Sequence, residues 1–99
     1  MAQRVKRWRL LWTEPARDAL REILRFIRQD NPVAARNVSR EIRQKVERLT
    51  QFPLSGRDVP ELPDTGFRAV IIGNYRVIYR VVSNTVEILT VVHGRRKVG

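Results

Sequence analysis

Cysteine is absent from the chain, and histidine occurs once, at position 93. The first absence removes disulfides, thiolate zinc sites and thiol catalysis together and fits a reducing cytoplasm. With a single histidine, no metal site is expected. Long hydrophobic runs are missing too. The basic start from Met1 to Arg7 is followed only by Leu10-Leu11-Trp12, too short for a signal peptide, and no segment approaches membrane-spanning length. Nor is there a Gly-rich phosphate loop, a nucleophile elbow or a paired-carboxylate motif. No cofactor is therefore expected, and any catalysis falls to Arg, Tyr or His. That set is compatible with metal-free RNA cleavage, in which arginines neutralise the phosphorane.

Acidic residues are the last scarce class, 10 against 20 Lys and Arg, for a formal net charge of +10 and a pI near 11.5. An acidic partner follows, and charge alone does not choose among nucleic acid, an anionic membrane and an acidic protein. The excess is spread out rather than gathered in a tail: residues 1–50 carry 13 of the basic side chains and residues 51–99 carry 7. A chain of 99 residues that is 42% hydrophobic makes one domain, 1–99, with a modest core. A partner covering its apolar surface stabilises it by mass action.

Trp8 to Trp12 reads as a short strand. Thr13-Glu14-Pro15 then starts a helix: Thr13 caps free amides, Glu14 favours the positive end, and Pro15 is tolerated only in the first turn. Ala16, Ala19, Leu20, Ile23, Leu24 and Ile27 recur at helical spacing to about residue 29. Asn31-Pro32 breaks and restarts the pattern, and a second helix with stripe Ala35, Val38, Ile42, Val46 and Leu49 runs to about Thr50. So short a connection makes the pair an antiparallel hairpin. From Gln51 to Gly66 three prolines and two glycines leave a loop, either functional and mobile or tacked to the body by Phe52, Leu54, Val59 and Leu62. Phe67–Ile72, Tyr75–Val82 and Thr85–His93 are strands separated by Gly73-Asn74 and Ser83-Asn84, which are hairpin turns. The class is α+β: a strand, a helical hairpin, then a three-stranded antiparallel meander with the helices on one sheet face and the other face partly open.

Arg17, Arg21, Arg25 and Arg28 form one stripe on the first helix, and Arg36, Arg40 and Arg43 another on the second. They are either an electrostatic footprint for an acidic partner or a solvated face. On the middle strand of the meander Arg76 and Arg80 alternate away from Tyr75, Val77 and Tyr79, as a cationic platform on the open face or as plain polar-out alternation. Strand parity puts His93 on the same side as Glu87.

Four stretches, Trp12-Thr13-Glu14-Pro15-Ala16, Phe52-Pro53-Leu54-Ser55-Gly56-Arg57, Gly73 to Val81, and Val91-Val92-His93-Gly94-Arg95-Arg96, occur in an order that resembles the RelE/ParE toxin superfamily over nearly the whole chain, and specifically its ParE branch. The resemblance implies a cytoplasmic toxin of a type II toxin–antitoxin pair, of the kind associated with plasmid stabilisation. Its partner would be a ParD-like antitoxin whose amphipathic segment wraps it in a hetero-oligomer. ParE-like members poison DNA gyrase, whereas RelE-like members cut mRNA in the ribosome. Toxins of the second kind carry Lys-x-Lys on one strand, Arg on the next, Arg beyond the last strand and Tyr on a terminal helix. By the resemblance these positions fall on Arg68, Val70, Arg76 and Arg96, and no tyrosine-bearing helix corresponds. A gyrase inhibitor rather than an enzyme is expected, with a ribosome-dependent endonuclease or an inactive antitoxin-binding homologue as alternatives. The expected target-binding surface is Arg68, Arg76, Arg80, His93, Arg95 and Arg96.

Register decides whether these arginines meet. A two-residue turn at Gly73-Asn74 pairs Ile72 with Tyr75 and puts Arg68 on the tyrosine face. A three-residue turn through Tyr75 puts Arg68 beside Arg76; the family placement favours this second register and the local turn rule the first.

Overall fold

The structure, a computed structural model, describes residues 7–94 and 96–98. Its elements are β1 (Arg9–Trp12), α1 (Glu14–Asp30), α2 (Pro32–Arg48), β2 (Arg57–Asp58), β3 (Arg68–Ile72), β4 (Tyr75–Val82) and β5 (Thr85–His93). The strands make one sheet in the order β1-β5-β4-β3-β2. β1 runs parallel to β5 and every other pair is antiparallel. The expected strand–hairpin–meander order is present, with two additions. The first strand joins the meander's sheet, and the long loop contributes a two-residue strand, β2, where no strand was expected.

Local chemistry sets the junctions. The Thr13 hydroxyl accepts the Ala16 N–H at 3.3 Å and donates to the Ile88 carbonyl at 2.7 Å, so one side chain caps α1 and fastens its start to β5. Asn31 alone joins the helices. Its N–H closes α1 on Ile27 O, and its side-chain oxygen accepts the Ala34 N–H at 3.0 Å to open α2. Between β4 and β5, Ser83 and Asn84 both take positive φ, as a type I′ turn requires, while at the β3–β4 turn only Gly73 does.

α1 packs on β5 and α2 on β3, all from one side. Ala16 and Leu20 of α1 and Ile42, Val46 and Leu49 around α2 close over Val77, Tyr79, Val86 and Ile88. Each such buried aliphatic side chain contributes roughly 1.5–3 kcal/mol. The far sheet face is not open in the way expected: Val59, Ala69, Ile78 and Val92 form a second, smaller core, flanked by Leu62, Phe67, Leu89 and Val98. The long loop and the tail supply that cover. Val59 is completely buried, while Phe52 and Leu54, also expected to tack the loop down, are 55% and 64% exposed.

Candidate functional site

The β3–β4 register is that of the two-residue turn: Ile72 pairs with Tyr75, Ile71 with Arg76 and Arg68 with Tyr79. Cross-strand partners share a face, so Arg68 lies on the tyrosine face and Arg76 on the opposite one. The register that would have placed them side by side is thereby overturned, because Gly73 adopts the positive φ that closes the tighter turn.

Each arginine is already engaged. Arg68 donates to the carbonyls of Leu54 at 3.2 Å and Gly56 at 2.8 Å. Beside it the Tyr79 hydroxyl accepts the Gly56 N–H at 2.9 Å and donates to Pro53 O at 2.8 Å. Arginine and tyrosine together pin residues 53–56 to the sheet, and burial pushes the Tyr79 phenol above its ordinary pKa. On the other face Arg76 forks onto both carboxylate oxygens of Glu61, at 3.1 and 2.5 Å, and also donates to Arg96 O at 2.7 Å. The Glu61 carboxylate accepts the Val98 N–H as well. With side chains only 12% and 17% exposed, this pair is a latch that holds the tail under the sheet. Arg80, its neighbour on that face, pairs with Glu87 at 2.6 Å and is 46% exposed, worth at most about 1 kcal/mol. The expected cationic platform is therefore one neutralised face, because Glu61 and Glu87 stand opposite the two arginines.

A bulge moves the histidine. Ile78 pairs with Thr90 and Tyr79 with Ile88, so Leu89 has no partner and parity reverses across it. Glu87 stays on the Arg80 side, whereas His93 pairs with Tyr75, its ring edge-on at 5.8 Å and 76°. The expectation that His93 and Glu87 share a side fails for this reason. Arg96 has an exposed side chain and donates its N–H to His93 O at 2.8 Å; Arg95 lies outside the described residues. Of the expected target-binding residues on the strands, Arg68 and His93 thus lie on one face and Arg76 and Arg80 on the other.

What sequence reasoning missed is Glu61, inside a stretch without period, and two grooves. The first, about 450 Å³, lies along β1 and both helices. Leu10, Trp12, Leu20 and Leu24 give it apolar walls, and Arg17, Arg21, Arg28 and Arg43 ring it. The arginine stripes were visible in the sequence; their convergence on an apolar trough was not. The second groove, 840 Å³, runs beside β3 and the end of α2. Among the described residues there is no group of three or more His, Asp or Glu placed to hold a metal ion.

Residues 10–98 match the profile of the ParE toxin of the type II toxin–antitoxin system, parDE. The chain belongs to the ParE toxin family. A relative of this ParE-family chain, the candidate toxin Y4kP of Sinorhizobium fredii, is 36% identical over 95 residues, covering 94% of this chain and 95% of its own length. Among solved structures the fold resembles that of the chromosomal ParDE system of P. aeruginosa, with a TM-score of 0.76 at 22% identity over 89% of this chain and 97% of that one. It also resembles the toxin–antitoxin complex RelBE2 of Mycobacterium tuberculosis, with a TM-score of 0.62 at 22% identity over 93% and 97%. No helix among the described residues is long and apolar enough to cross a membrane.

The latch is expected to weaken in acid. The Arg76 hydrogen bond, with the carboxylate's own amide and that of Val98, holds Glu61 down from its ordinary value near 4.5 to about 2. A depressed carboxylate contributes stability that is complete above the unfolded pKa and is lost as pH falls through the folded one. Glu61→Gln should therefore lie below the native chain in melting temperature at neutral pH. That gap should narrow between pH 4.5 and 2, as measured by thermal melts of both proteins across that range. A gap independent of pH would remove Glu61 from the latch.

Proposed function

We propose that this ParE-family toxin binds DNA gyrase and arrests it on cleaved DNA without covalent chemistry of its own, and that a ParD-like antitoxin holds it inactive. One observation carries the choice against mRNA cleavage: Arg68 and Arg76 point to opposite faces of the sheet, and each is spent on internal partners. Phosphorane stabilisation needs cations preorganised around one phosphate. The Val70 position reinforces this, since it carries no charge where the cleaving branch has lysine. Programmed ribosomes exposed to the purified toxin should keep their mRNA intact, and codon-specific cleavage would overturn the reading.

The first groove supports the antitoxin half. Its apolar trough suits the greasy face of an amphipathic helix, and its ring of arginines suits acidic flanks. Only Arg21 in that ring has an ion-pair partner among the described residues, Asp18 at 3.3 Å. Leu11 of the same groove is 45% exposed, an apolar surface awaiting cover. Co-expression with an acidic antitoxin should raise solubility and melting temperature together. Arg17→Glu with Arg28→Glu should weaken the complex without lowering the melting temperature of the free toxin. A toxin as stable and soluble alone as in complex would end the linkage.

A further inference from the structure

One wall of the second groove is a stretch of sheet edge left open beyond β2. In an antiparallel ladder, successive residues alternate between bonding one neighbour and the other. A two-residue turn makes Ile72–Tyr75 a hydrogen-bonded pair, so Val70 and Arg68 also bond toward β4. Phe67, Ala69 and Ile71 then direct their backbone groups outward. The bond from the Val59 N–H to Phe67 O, at 3.3 Å, follows this alternation, and Ala69 has Arg57 opposite it. Among the described residues Ile71 has no strand beside it on that side. β2 stops at Arg57 because Tyr79 and Arg68 draw residues 53–56 off the edge and onto the helix side. The Ile71 side chain is 69% exposed at that edge.

The groove's charge is one-sided. Lys45 and Arg48 stand along α2 and Arg57 at the end of the short strand, none in an ion pair among the described residues, against the single acid Asp58. Phe52, 55% exposed, adds an apolar contact. Unpaired strand edges are templates for further pairing, and the β3 residues that line the groove, Ala69, Val70 and Ile71, include no proline and no charge.

We infer that the β3 edge at Ile71 is a docking site for an extended acidic segment of a partner protein, which adds a strand where β2 ends. Main-chain bonds to Ile71 supply the anchor. Alternation supplies the selectivity: side chains on one side of the incoming strand lie by Ile71 and are apolar, and those on the other lie by Lys45 and Arg48 and are acidic. A peptide fits this edge and a phosphodiester does not, since the edge offers one amide donor and one carbonyl acceptor in strand spacing. The site is separate from the arginine-ringed groove and does not depend on the gyrase reading.

The full chain is titrated with an end-blocked, fluorescein-labelled peptide of about six residues, alternating Glu and Val. Binding is followed by anisotropy, and amide exchange of the toxin by NMR. Saturable binding should slow exchange at the Ile71 amide at least about tenfold. Lys45→Glu with Arg48→Glu, both exposed positions, should weaken binding at least about tenfold, while Arg17→Glu with Arg28→Glu should leave it unchanged. No binding at millimolar peptide, binding without protection of Ile71, or equal loss from the α1 substitutions would overturn the site. So would displacement by a short oligodeoxythymidylate at matched charge, which would make it a general anion surface.

Discussion

Tyr79→Phe should destabilise the domain by about 1–3 kcal/mol, the cost of leaving a buried donor unpaired. The ring is fully buried, and its hydroxyl is the partner of the Gly56 N–H and the donor to Pro53 O. Phenylalanine fills the same volume, so the loss is that of the bonds and not of packing. At about 4–8 °C per kcal/mol for a domain of this size, the shift is easily read in a thermal melt. Gly56→Ala attacks the same contact from the other side: a Cβ there would sit 2.5 Å from the Tyr79 hydroxyl and 2.9 Å from Ala69 O. Overpacking of this kind costs about 1–3 kcal/mol. The two substitutions together should fall short of additive, since removing the hydroxyl removes one of the two closest clashes. A Tyr79→Phe protein that melts with the native chain would show that the clamp on residues 53–56 carries no weight.

Arg95→Ala with Arg96→Ala should abolish toxicity while leaving melting temperature and antitoxin affinity in place. Charge-assisted hydrogen bonds to an acidic or phosphate-bearing target are worth roughly 1.5–3 kcal/mol each, so losing both weakens target binding on the order of 100-fold or more. Stability is spared for a specific reason. Arg96 contributes to the latch through its carbonyl, which accepts from Arg76, and alanine keeps that carbonyl. The Arg96 side chain itself is exposed. Full toxicity in the double mutant would take this end of the chain out of the target surface.

Much of the fold was legible because local signals agreed. The caps at Thr13 and Asn31, the helical stripe through Ile42 and Val46, and the turn residues Gly73 and Asn84 all act within a few positions of themselves. Where the reading failed, the cause was non-local. The bulge at Leu89 reverses strand parity and carries His93 away from Glu87, yet Leu89 looks like any other apolar residue in a strand. Glu61 looks like a loop carboxylate until Arg76 and the Val98 N–H are found on it, 15 and 37 positions away. β2 is two residues long and exists only because β3 lies beside it. The arginines of α1 were read as a stripe, and their role as the ring of a trough needed β1 to be placed against the helices. For the same reason the expected target residues were chosen as a set by type and family position, and the register then put Arg68 and His93 on one face and Arg76 and Arg80 on the other.

The measurement that bears most directly on the central claim is supercoiling by purified DNA gyrase titrated with purified toxin, with the antitoxin added back in a parallel series. Loss of supercoiling with accumulation of cleaved DNA, reversed by antitoxin, is the result expected of a gyrase poison. Supercoiling that continues undiminished at toxin in large excess over gyrase, with toxicity intact in cells, would contradict it.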